Sequence, residues 1–206
     1  MNNPSIRILG VNLGIKNCNL DRVVQEPNTG GTIHRVHPLH SRGGKMKIGV
    51  PMEPEGETRV AIVPGSMKKL QKAGFEVVVE KGAGVAANYS DSEYTEAGAS
   101  IGDRKDVMSC EIVISIRMPD ASELSKGQIV ACVADPFRHP EKVQACIDGG
   151  ITLMSMDMIP RRLSRAQSMD VNSSQDNLAG YKAVLLGASQ VPRGIPMMTT
   201  SAGTVR

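Results

Sequence analysis

The densest run of chemically capable side chains lies between Pro160 and Tyr181, reading Pro-Arg-Arg-Leu-Ser-Arg-Ala-Gln-Ser-Met-Asp-Val-Asn-Ser-Ser-Gln-Asp-Asn-Leu-Ala-Gly-Tyr. Arg161, Arg162 and Arg165 offer planar guanidiniums, Gln167 an amide, and Asp170 a carboxylate. Ser164, Ser168, Ser173 and Ser174 add hydroxyls, all before an apolar helical pattern begins. Such a loop can grip an amide and phosphates together. On residue types alone, a solvated loop whose serines cap the next helix is the more economical reading, because loops are polar in any case.

Three other constellations invite chemistry and carry less. Gly82-Ala83-Gly84 follows a predicted strand, and Ala87 stands where a dinucleotide fingerprint places its third small residue. Asn88-Tyr89-Ser90-Asp91 then breaks any helix starting at the glycines, which removes the amides that would hold a pyrophosphate. His34, His37 and His40 are spaced by three, but Pro38 interrupts them and no Cys or carboxylate joins them, so an incidental tail is expected and no metal site. Cys18, Cys110, Cys132 and Cys146 stand singly, with Cys132 inside a predicted buried strand; reduced thiols in a cytoplasmic protein fit this pattern.

The elements that must position these groups follow a strand-helix alternation. Residues 1–45 sustain no period beyond Ile6 to Leu13 and are expected to be a poorly ordered extension. The character changes at Met46, a candidate initiator. Strands are predicted at Lys47 to Val50, Phe75 to Glu80, Ile112 to Ile116, Gln128 to Val133 and Ile151 to Met156. Helices are predicted from Ser66 through Ala73, from an Asp91 or Ser92 cap through Ala97, from Pro140 to Asp148, and from Ser173 or Ser174 onward, where Leu178, Tyr181, Leu185 and Ala188 recur at helical spacing. The alternation implies βαβ units and a parallel sheet. With 206 residues, 40% hydrophobic and only 2% aromatic, the chain suits one α/β core of Val, Ile, Leu, Met and Ala, and is too short for two full α/β domains.

A net charge of +3 with dispersed Lys and Arg gives no nucleic-acid footprint. No apolar run reaches the roughly 18 residues needed to span a bilayer, so no direct membrane insertion is expected.

The Pro160–Tyr181 stretch closely resembles the loop after the fifth strand in the NAD(H)-binding component of proton-translocating transhydrogenases. The likeness continues backwards through Met154-Ser155-Met156-Asp157 and forwards to Pro196-Met197-Met198-Thr199-Thr200-Ser201-Ala202-Gly203-Thr204-Val205. Lys47-Ile48-Gly49-Val50-Pro51, Glu57-Thr58-Arg59-Val60-Ala61 and Glu80-Lys81-Gly82-Ala83-Gly84 look like the opening of the same family, which also contains alanine dehydrogenases. The resemblance implies a parallel-sheet, flavodoxin- or Rossmann-like N-terminal domain over 46–190. Residues 191–206 would then begin a linker to a dinucleotide-binding domain that this chain lacks. It further implies that Arg162 and Asp170 orient the nicotinamide carboxamide, with Ser173 hydrogen-bonding nearby and Ser164 and Arg165 among the cofactor binders. Gln167 would face NADP(H) on a partner subunit. Arg161-Arg162 stands where the family has one arginine, and Arg162 keeps the register.

The dehydrogenases of the family use a Lys and a His on the substrate oxygen and an Arg on its carboxylate. Here Arg59 matches that arginine, Arg117 occupies the lysine position and Asp135 the histidine position, while His139 is too far along to substitute. The resemblance therefore implies a portion of an NAD(P) transhydrogenase, with membrane-embedded and NADP(H)-binding partner subunits and a homodimer at the inner face of the membrane. Without the fingerprint domain, the chain alone should have weak activity or none. A non-catalytic interaction module of the same fold is the alternative, and alanine dehydrogenase a weaker one.

Overall fold

The computed structural model describes residues 45–160, 162–192, 198–201 and 203–205. They form two compact units that divide between Ile159 and Pro160. The extension 1–44, with the three histidines and Cys18, lies outside the described residues.

The first unit is an α/β layer structure. Its strands are β1 (Lys47–Val50), β2 (Glu76–Glu80), β3 (Ser100–Gly102), β4 (Ile112–Arg117), β5 (Ile129–Val133) and β6 (Thr152–Ser155). All neighbours pair in parallel, in the order β3-β2-β1-β4-β5-β6. Helices α1 (Met67–Lys72), α2 (Asp91–Glu96), α3 (Arg104–Met108) and α4 (Pro140–Asp148) connect them. The chain leaves β1 toward β2 and β3, then returns to β4 on the other side of β1. That reversal makes the carboxyl ends of β1 and β4 a topological switch point, the place where open α/β sheets bind ligands.

Side-chain alternation builds a core on each face of the sheet. Ile112 and Ile114 of β4 pack with Ile48, Val50, Val77, Val79, Met67, Leu70 and Tyr94. Val113, between them, turns to the opposite layer with Met108, Val130, Cys132 and Cys146. Tyr94 is fully buried and its hydroxyl donates to the Ile62 carbonyl at 2.8 Å, which satisfies the one polar atom it brings inside. Gln128 plays the matching role in the second layer: its amide nitrogen donates to the carbonyls of Met108 and Cys110 at 2.7 Å each, and its oxygen accepts from the Ser125 amide. Gly49 is required by sterics, since a β-carbon there would stand 2.2 Å from the Val107 carbonyl oxygen of α3.

Several boundaries differ from those expected from sequence. β3 and α3 are additions, because three residues and five residues carry too little period to register. The cap of α2 is Ser90, one residue before the expected Asp91, and it forms a capping box with Glu93. Ser66 precedes α1 without a side-chain capping bond.

The second unit contains α5 (Val171–Gln190) and the antiparallel pair β7 (Met198–Thr200) and β8 (Gly203–Val205). The helix begins two or three residues earlier than Ser173 or Ser174, because Asp170 is its N-cap. Its apolar side chains are open: Leu178 is 60% exposed and Tyr181 68%.

Candidate functional site

Two groups of polar residues stand out, one in each unit. In the second unit, the loop before α5 is a succession of turns. The Leu163 carbonyl accepts from the amides of Ala166 (2.8 Å) and Gln167 (3.2 Å), and Gln167–Met169 form one turn of 3-10 helix. Consecutive tight turns fan the intervening side chains outward, so Arg162, Ser164, Arg165 and Gln167 are exposed. Arg161 lies outside the described residues.

Asp170 and Ser173 are brought together. One oxygen of the Asp170 carboxylate accepts from the Ser173 amide at 2.9 Å, and the other from the Ser173 hydroxyl at 2.6 Å. This pairing caps α5 and fixes the carboxylate just outside the helix N-terminus. The loop thus presents exposed guanidinium and amide donors next to an anchored acceptor. Such a set can hold a planar carboxamide, which needs both a donor and an acceptor, without any group that must gain or lose a proton. Ser168 and Ser174 are instead directed to backbone carbonyls of Arg165 and Val171, in local turns.

In the first unit, charged side chains gather at the carboxyl ends of β1 and β4. Glu57 meets Arg59 edge-on, with Nε and Nη2 of the guanidinium each 2.7 Å from a separate carboxylate oxygen. Arg117 places its Nε 3.2 Å from the same carboxylate. The hydrogen bond from Arg59, outweighing burial, pulls the Glu57 carboxyl down to about 2. Glu53 accepts from the amides of Ile116 (2.5 Å) and Arg117 (2.9 Å), where β4 shifts register against β5. Burial raises the Glu53 carboxyl, against the effect of those two amides. Next to β4, the end of β5 is bent by Asp135, a non-glycine residue at φ 46°. The Asp157 carboxylate holds this bend by accepting from the amides of Ala134 and Asp135 at 3.2 and 3.0 Å and from the Ser155 hydroxyl at 2.6 Å.

A second network braces the same end of the sheet. Arg104, at the start of α3, pairs with Glu123 through Nε and Nη2 (2.9 and 2.7 Å) and with the buried Glu80 at 3.3 Å. Glu80 in turn accepts from the Met52 amide at 2.8 Å, tying the loop after β1 to β2.

The glycine pair at 82 and 84 has a packing role. The Gly82 amide is taken by the Asp91 carboxylate at 2.9 Å, and a β-carbon at Gly84 would lie 2.6 Å from the Tyr94 ring. Cys110, Cys132 and Cys146 are free and buried, and burial pushes Cys132 up to about 12. Among the described residues no cluster of His, Cys, Asp and Glu could hold a metal ion, and no helix is long and apolar enough to cross a membrane. A cavity of about 990 Å³ opens among Lys47, Gln71, Val77, Gly102 and Glu111, away from every residue nominated from sequence.

Sequence reasoning does not single out Glu53, Glu57 and Asp157 for these roles. Glu53 and Glu57 do stand in a loop with Arg59, but the partner Arg117 lies on a different strand, reached only through the β1–β4 pairing.

Residues 49–179 match the family model described as alanine dehydrogenase/PNT, N-terminal domain. The chain belongs to this family. Among its curated members, an NAD(P) transhydrogenase subunit alpha chain of Rhodospirillum rubrum is 42% identical over 171 residues, which cover 78% of this chain and 44% of that protein. The alanine dehydrogenase of Bacillus subtilis is more distant, 31% identical over 72% of this chain and 40% of that protein. Among solved structures, transhydrogenase from Sinorhizobium meliloti superimposes with a TM-score of 0.72 at 42% identity, covering 77% of this chain and 49% of that one. The parallel sheet with helices on both faces is therefore the family fold, as expected from the sequence. The chain spans less than half the length of these relatives. The family match includes all of the loop from Arg162 to Ser173, and the rim residues from Glu53 to Asp157.

Proposed function

We propose that this chain is the opening portion of the NAD(H)-binding subunit of a proton-translocating NAD(P) transhydrogenase, and that the Arg162–Ser173 loop engages the nicotinamide end of NAD(H). The observation that carries this reading is the 42% identity to a transhydrogenase alpha chain, well above the 31% to an alanine dehydrogenase, over a match that contains the loop.

The loop's donor set fits the group it would hold. Arg162 would donate to the carboxamide oxygen, and the Asp170 carboxylate, held by Ser173, would accept from its amide nitrogen. Ser164 and Arg165 would add donors toward phosphate or ribose oxygens, and Gln167, exposed at the tip, would face an NADP(H) site on a partner subunit. The bound nicotinamide supplies the hydride chemistry. The residues of this chain supply orientation, and that is what the reaction asks of them: hydride passage between two dinucleotides leaves no proton on a substrate oxygen, so no acid or base is needed. Arg117 and Asp135 at the lysine and histidine positions support this reading over an alanine dehydrogenase, since a guanidinium is a poor proton shuttle at neutral pH.

In this reading, residues 46–190 are the family's N-terminal domain, residues 191–206 lead toward a dinucleotide-binding domain, and 1–45 are an extension. The partners are the membrane-embedded and NADP(H)-binding subunits and a second copy of this subunit, which places the chain on the cytoplasmic side as a peripheral component. In this reading the chain corresponds to less than half of a whole subunit, so alone it should bind NADH weakly or not at all. Isothermal titration of the purified chain with NADH checks this, and micromolar binding would overturn it. An NADH-dependent pyruvate-and-ammonia assay should give no turnover; turnover would restore the dehydrogenase reading.

A further inference from the structure

We draw no further inference here: the strongest candidate, the turn between β5 and α4 that holds Phe137 81% and the Arg138 side chain 83% exposed, carries nothing, because nothing in the structure shows what covers it.

Discussion

At the residue scale, Asp170 caps a helix and, in the proposed function, also accepts from the nicotinamide carboxamide. Its oxygens accept from the amide and hydroxyl of Ser173, which is a capping arrangement in its own right. Stability and function can be separated by choosing the substitution. Asn caps nearly as well as Asp, so Asp170→Asn should leave the melting curve of the chain almost unchanged, whereas Asp170→Ala should cost about 1 kcal/mol. Placed in a complete transhydrogenase, Asp170→Asn should nevertheless slow NADH-dependent hydride transfer by about ten-fold or more, the loss of one charge-assisted contact. An unaltered rate would reduce Asp170 to a cap. Glu57 makes a separate prediction. Its carboxyl is held down to about 2 against an ordinary 4.5, chiefly by the Arg59 hydrogen bond. A carboxyl depressed by folding stabilises the protein above its unfolded value and ceases to do so as pH falls through its folded value. The stability difference between wild type and Glu57→Gln, measured by urea denaturation, should thus be full above about pH 4.5 and vanish by about pH 2. Glu53 is raised chiefly by burial and in small part by the Glu57 charge, so its contribution has the opposite sign and the comparison with Glu57→Gln removes only that small part.

At the level of elements, α3 sits where it does because β1 carries no side chain at Gly49. Substituting Gly49→Ala would put a β-carbon 2.2 Å from the Val107 carbonyl oxygen, a backbone atom that cannot rotate away. The cost should be about 1–3 kcal/mol in thermal or chemical unfolding, as for other overpacked cores; a neutral result would mean that α3 slides freely over the sheet. Legibility in sequence follows the same physics. β1, β2, β4 and β5 are readable because buried parallel strands need runs of Val and Ile, and β6 because its Leu153 and Met154 continue an apolar run from Ile151. β3, reading Ser-Ile-Gly, has no such run, and its place at the sheet edge needs none. α3 is only five residues long, too short for a period, and its one local signal is the capping box of Asp103 and Asp106. The loop of Arg162 to Ser173 is legible because its residues are contiguous. The rim of Glu53, Glu57, Arg59 and Arg117 is not, because only the pairing of β1 with β4 brings residues more than fifty positions apart to one end of the sheet.

For the whole molecule, the salient feature is a 20-residue helix whose apolar side chains are uncovered. Leu178, Tyr181, Val184, Leu185 and Leu186 of α5 are all 48% exposed or more, and they share one broad side of the helix. An exposed apolar face of this breadth is ordinarily covered by something. The homodimer proposed above would provide a cover. Sedimentation velocity should then show a dimer for the wild-type chain and a monomer for the double variant Leu178→Glu with Leu185→Glu. A wild type that stays monomeric at high concentration would mean that another chain covers α5.

The strand order has a consequence for how the chain comes off the ribosome. β1 is made first and lies at the centre of the finished sheet, yet the partner for one of its two edges, β4, begins only at Ile112. Until then a nascent β1-β2-β3 layer presents β1 as an open, apolar border, the type of border on which another chain can template itself. Closing it is a long-range event and therefore a slow one. Anything that delays synthesis between β3 and β4 should raise the fraction of chains lost to aggregation before β4 has docked on β1.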